Sequence, residues 1–249
     1  MIAATVATRR TLGFSFLILL ILTRAALALV SSFQDFQFAP NGVCLQPSLF
    51  FDGSRTFAMR DVPGSGDCMF LAVALATSAS MGLGGNTAFL RAISKESRQV
   101  VAQILSSPVG NLYIEGNRLV KTRDLLLLSS RQEGLTPEEY LQQLRLEGVD
   151  GGLHGGGPEL TVLSNVLRRP ISIYELDDGD SNRKQAQRQG IHCCGVFGAG
   201  VFDDPCKTVP NSSVLLVQQP GAFSWHLHIL VVDDGLEKHA CVLLPQEVW

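Results

Sequence analysis

Nine residues, Met69 to Thr77 (MFLAVALAT), carry no charge and offer no polar stripe at helical spacing. A helix that is apolar on every side has to be enclosed by other elements, because it has no face to show to water. Glycines bracket the run, with Gly64 and Gly66 before it and Gly82, Gly84 and Gly85 after it. This segment therefore predicts a central buried helix with the rest of the fold built around it. A chain of 249 residues with 17% charged side chains is long and apolar enough to supply one sizeable core.

The surrounding elements follow from periodicity and punctuation. Asn86 caps a second helix whose apolar positions (Phe89, Leu90, Ile93, Val100, Val101, Ile104, Leu105) recur mostly at three and four, ending before Pro108. Thr136, Pro137 and Glu139 form a capping box that opens a third, with Tyr140, Leu141 and Leu144 as its stripe. A fourth spans roughly Glu159 to Leu167, after the glycine-rich turn from Gly151 to Gly157. Strands are expected at Ile171 to Leu176, Val214 to Val217, Leu227 to Val232 and Ala240 to Leu244, and the polar stretch from Asp177 to Gly190 as an exposed loop. Gly195 to Gly200 reads as another loop, and residues 31 to 60 as an irregular lead-in. Early helices and late strands give the α+β class, with a small central β-sheet packed between helical layers.

The first 28 residues differ in kind. Arg9 and Arg10 precede the apolar run Leu12 to Leu22, and Ala26, Leu27 and Ala28 make a small-x-small site, the pattern of a secretory signal peptide or signal anchor. A membrane is thus a partner only if that segment stays attached as an anchor. The formal net charge is −3, with no block of Lys and Arg, which argues against nucleic acid as a partner. Asn211, Ser212 and Ser213 form a glycosylation sequon. Of the six cysteines, Cys193 or Cys194 is at a workable loop length for a disulfide with Cys206; with no C-x2-C pair, neither a metal nor another cofactor is expected.

Cys68 lies at the junction of the glycine turn and the buried helix. A buried inert thiol is one reading; a nucleophile is the other, since a helix start stabilises a thiolate through its N–H groups and dipole. A nucleophile needs a base, and the candidates are His154, His192, His226, His228 and His239. In SWHLHILVV, His226 and His228 fall on one face of a strand, about 7 Å apart along the backbone. Either is expected to meet a cysteine on a neighbouring helix while the other steadies it. The turn Ser65, Gly66, Asp67 would direct backbone N–H groups, that of Cys68 included, at an oxyanion, or else simply requires a glycine at positive φ.

The stretch GSGDCMFLAVA resembles the nucleophile motif of the ovarian tumour (OTU) family of cysteine proteases, Asp-Gly-x-Cys-x-Phe, with Cys68 as nucleophile and Phe70 as the aromatic that anchors the helix. Two further segments agree in order: EEYLQQLRLEGVDGGLHGGGPELTVLSNVLRRPISIY, with its Tyr, Gly-Gly and Glu-Leu, and SWHLHILV, which resembles the closing His-Tyr-Asx strand and puts His226 at the catalytic histidine. The family's acid three residues before the nucleophile is Ser65 here, Asp67 directly precedes Cys68, and His228 stands where an Asp or Asn often follows.

The resemblance implies a papain-like OTU fold over residues 60 to 233, preceded by a lead-in at 29 to 59 and followed by a strand or tail at 234 to 249. It implies a deubiquitinase that cleaves isopeptide bonds at the C-terminus of ubiquitin or a ubiquitin-like modifier through a Cys-His acyl-enzyme. Its partners would be that modifier and modified proteins. Two rivals stand beside it: a weak or inactive ubiquitin-binding module, favoured by Ser65 and His228, and a secreted hydrolase or interaction protein unrelated to ubiquitin, favoured by the signal-like start. The N-terminus points to the secretory route or an organelle, and a ubiquitin substrate to the cytoplasm.

Overall fold

The computed structural model of the chain describes residues 49–79, 86–177, 188–203, 226–233 and 238–246. The signal-like segment, the sequon at Asn211, Cys44, Cys206 and the expected strand at 214 to 217 lie outside them. In chain order the elements are β1 (Leu49–Phe51), β2 (Thr56–Arg60), α1 (Cys68–Ala79), α2 (Thr87–Leu105), β3 (Asn111–Glu115), β4 (Arg118–Lys121), α3 (Thr122–Gln132) and α4 (Pro137–Arg145). A short 3-10 turn follows at Gly148–Asp150, then α5 (Gly157–Leu167), β5 (Ile171–Leu176), β6 (Arg188–Phe197), β7 (Leu227–Asp233) and β8 (Lys238–Gln246).

The α+β class is as expected, and α1 is the enclosed helix that its composition demands: every residue in it except Thr77 is buried. The caps are the ones the sequence announces. Asn86 accepts from the Phe89 N–H at 2.9 Å, and Thr136 exchanges hydrogen bonds with Glu139 in a complete capping box. Glu159 reaches back to the N–H of Gly156 at the start of α5 and also accepts from the Tyr140 hydroxyl at 2.5 Å. That buried pair ties α4 to α5, and it raises the Tyr140 hydroxyl far above its ordinary range through burial and the nearby carboxylate.

Six strands close into a barrel in the order β1, β2, β8, β7, β5, β6. β5 runs parallel to β7, with Ile171 opposite Leu227, and β1 closes the ring by pairing parallel with β6. The strands sort their side chains between two cores. Leu227, Ile229, Ala240 and Val242 join the large core around α1, α2 and α5. Leu230, Cys241 and Leu243 turn the other way, into a smaller core with Phe50, Phe57, Tyr174 and Ile191. This is the period-two alternation of a sheet buried on both faces.

Three departures from expectation concern strands. The lead-in contains β1 and β2, whereas the strand expected at Ala240 to Leu244 is present within β8 and pairs with β7. The hairpin β3–β4 and helix α3 fill a stretch without a clear sequence signal. The polar region expected as a loop ends earlier than Gly190, because β6 begins at Arg188 and runs through Gly195 to pair with all of β5. Its signal is weak since His192, Cys193 and Cys194 are exposed and glycines interrupt it; pairing with β5 supplies the order that its own propensity does not. Gly198 and Gly200, both at positive φ, make the turn that follows.

Candidate active site

Cys68 is the first residue of α1, 7% exposed, and the loop before it is held by an unusual buried cation. Arg98, fully buried on α2, donates from Nε to Asp67 at 2.6 Å and from its terminal nitrogens to the carbonyls of Gly66, Leu144 and Leu153. Its guanidinium also lies 4.4 Å from the centroid of the Phe70 ring. Asp67 in turn accepts from the N–H of Gly148 with both carboxylate oxygens at 3.1 Å. The carboxylate beside Cys68 thus faces inward and orders the loop; removing either member would strand a buried charge, at a cost of about 3–5 kcal/mol.

Gly66 sits at φ +79°, as the positive-φ reading of the turn requires, and a Cβ there would also come within 2.9 Å of the Gly148 Cα. Ser65 contributes its carbonyl to the same contact, since a Cβ on Gly148 would lie 2.1 Å from the Ser65 oxygen. The turn Ser65, Gly66, Asp67 is therefore clamped to the 3-10 turn at Gly148 on one side and leads into the N–H groups of α1 on the other.

The imidazole at the thiol is that of His239, not His226. His239 is the second residue of β8, and it and the Ala240 backbone are the groups whose interaction with Cys68 lowers the thiol pKa. Its Nε2 donates to Asp61 Oδ1 at 2.7 Å, which leaves Nδ1 as the nitrogen for the thiol. Asp61 follows directly on β2, whose last pair is Arg60 with Val242, so the ladder sets Asp61 beside Cys241 and His239. Asp61 Oδ1 also accepts from the Val62 N–H at 2.8 Å and from the Cys241 thiol at 3.5 Å. The Asp61 carboxylate thus holds an imidazole that acts on the Cys68 thiol at a helix N-terminus.

The electrostatics suit an ion pair. Burial opposes ionisation of Cys68, but hydrogen bonds from His239 and the Ala240 backbone and the charge of His239 outweigh it, and the thiol pKa falls below its ordinary value. Hydrogen bonds to Cys241 and Cys68, and to Asp61, push His239 up to about 11 against the effect of burial. Cys241 goes the other way, raised by burial.

His226 and His228 do share a face, as their spacing requires, with stacked rings 6.2 Å apart. That face is turned away from α1: His228 lies against Phe57 and Tyr174 in the smaller core, with Tyr174 Oη 3.0 Å from its Nδ1, while Leu227 and Ile229 face the core that holds Cys68. His226 sits 3.5 Å from Ser172 Oγ and 4.0 Å from Asp203. The other histidines are elsewhere, His154 exposed on its loop and His192 paired with Asp177 at 3.0 Å on β6. His239 stood among the candidate bases, and the signal that favours it is its place at the start of a strand, seven residues after the Ile229-Val232 run ends.

His228 has a consequence for stability. Burial, aided by the charges of His226, Arg55 and Arg169 and opposed by Asp52, lowers it to about 3. The unfolded chain binds this proton from about pH 6.5 downward and the folded chain does not until about pH 3, so stability present above 6.5 is lost as the pH falls, by on the order of 5 kcal/mol in full. We expect the denaturant midpoint to drop between pH 6.5 and 4, and His228→Gln to flatten that dependence; equal slopes in both proteins would remove His228 as its source.

A family model described as OTU-like cysteine protease matches residues 63–193, just over half of the chain. The match contains Cys68 and ends before β7 and β8, so it does not itself discriminate among the later histidines. Among solved structures, the Hazara virus OTU bound to ubiquitin is similar at 16% identity and a TM-score of 0.42, over 77% of this chain and 83% of that one. Comparison with curated proteins gives no match. The extent of the family match settles membership: this chain belongs to the OTU-like cysteine proteases, and its α+β architecture is the papain-like OTU fold.

Proposed function

We propose that the protein is a cysteine-type deubiquitinase in which Cys68 is the nucleophile, His239 its acid and base, and Asp61 the group that orients the imidazole. The observation that carries this is the Cys68–His239–Asp61 chain at the start of α1, with an imidazole between thiol and carboxylate and the thiol pKa lowered. Ubiquitin or a ubiquitin-like modifier enters from family membership and from the motif segments around Cys68 and Glu159.

The reaction is acyl transfer. The Cys68 thiolate adds to the carbonyl at the modifier's C-terminus, and in this reading the N–H groups of the Gly66 to Cys68 turn and the α1 start donate to the oxyanion. The imidazolium of His239 gives its Nδ1 proton to the leaving lysine amine as the C–N bond breaks. His239 then takes a proton from water, whose oxygen attacks the thioester and releases the carboxylate and the thiol. His239 is poised for this because Asp61 holds Nε2–H and fixes the tautomer.

The test is reaction of the full chain with ubiquitin bearing a C-terminal thiol-reactive electrophile, with hydrolysis of ubiquitin chains followed alongside. A covalent adduct on Cys68 is the expected result. A folded protein that binds ubiquitin without forming the adduct would overturn catalysis and support a binding module; neither adduct nor binding would overturn ubiquitin as the partner.

A further inference from the structure

We propose that Asp61, His239 and Cys241 form a zinc site whose occupation switches the Cys68 centre off. The inhibitory half rests on the deubiquitinase reading above; the binding half stands on geometry alone.

Three donors of three kinds converge here: one carboxylate oxygen, one imidazole nitrogen and one sulfur, all within 4.8 Å of one another. Tetrahedral zinc, at about 2.0–2.3 Å from O, N and S ligands, needs donors separated by about 3.3–3.7 Å. Cys241 Sγ and Asp61 Oδ1 already stand at 3.5 Å. His239 Nε2 and Asp61 Oδ1, at 2.7 Å, must open by about half an ångström, and the Asp61 side chain, 64% exposed, has room to swing. His239 and Cys241 are two apart on β8 and so are preset on one side of a strand, with Cys241 fixed in the smaller core. The mixed N, S, O set selects a borderline-soft divalent cation over magnesium or calcium, which take oxygen ligands. Three protein ligands leave a fourth position for water.

The consequence for Cys68 follows from which nitrogen is taken. Zinc on Nε2 displaces that proton to solvent, together with the proton of the Cys241 thiol, and leaves the proton on Nδ1. The metal-held ring can then neither accept a proton at Nδ1 nor swing as acid and base between water and the leaving amine. Zinc therefore stops turnover without touching the nucleophile, which distinguishes this site from capture of the ion by Cys68 and His239 directly.

The experiment separates these. In the full chain carrying Cys68→Ala, zinc is titrated against a chromophoric chelator. Binding should persist, weaken at least tenfold on adding Cys241→Ser, and weaken likewise with Asp61→Ala, a change at an exposed side chain that leaves the core intact. Magnesium in excess should not compete. Loss of zinc binding with Cys68→Ala alone, or unchanged affinity in both double variants, would overturn the site. With the wild-type chain, zinc should slow hydrolysis of ubiquitin chains and a chelator should restore it. Zinc binding to the Cys68→Ala chain without any wild-type reaction would sink the deubiquitinase reading while leaving the site standing; a wild-type reaction indifferent to bound zinc would overturn the switch.

Discussion

Cys68→Ala should give a folded protein whose hydrolytic rate has fallen by on the order of 10⁴ or more and which forms no adduct with the ubiquitin electrophile. Removing a nucleophile costs a hydrolase nearly all of its covalent catalysis, and binding and oxyanion contacts retain only a residue of it. The structural cost is small. The exchange deletes one sulfur from a side chain at the end of α1, in a helix whose other contacts are untouched, and a loss of about 1 kcal/mol shifts Tm by only about 2–4 °C in a chain of this size. Intact mass after incubation with the electrophile and a thermal melt together check it. Cleavage near the wild-type rate would remove Cys68 as the nucleophile.

His239→Ala should cost about 10²–10⁴ in acylation rate, the range of a lost acid or base, and His226→Ala less than about tenfold. The contrast follows from placement. His239 acts on the thiol and is held by Asp61, whereas the partners of His226 are Ser172 and Asp203. Losing His239 also removes the positive partner that keeps the thiol pKa low, so the variant's adduct formation should recover partly at alkaline pH, where Cys68 ionises unaided. Single-turnover adduct rates for the two variants decide it. A larger loss in His226→Ala would return the base to β7.

What could be read from residues alone was what local chemistry dictates. The all-round apolar α1, the Asn86 cap, the Thr136 to Glu139 box and strand β5 each carry their own signal, and each is present. Elements whose order comes from distant partners were not legible: β1 and β2 are short and exist through pairing with β6 and β8, and β6 through β5. The same limit applied at the site. Cys68 was visible because a glycine turn and a helix start are local. The choice between SWHLHILVV and EKHACVLLP depended on which strand begins beside Cys68, and alternation says only that His226 and His228 share a face. Asp61 had no local mark at all; its partner is 178 residues away.

That separation bears on when the protein becomes chemically competent. The carboxylate, the thiol and the whole helical body precede β7, but the imidazole arrives on β8, the last described strand, which must insert between β2 and β7. Until it does, a growing chain holds Cys68 with no His239 to ionise it and no Ala240 backbone to support the thiolate. On the proposed assignment, assembly of the sheet is thus a timing device: a nascent or partly unfolded molecule is an unarmed one, and the sulfur gains its ionising partner only in the finished fold.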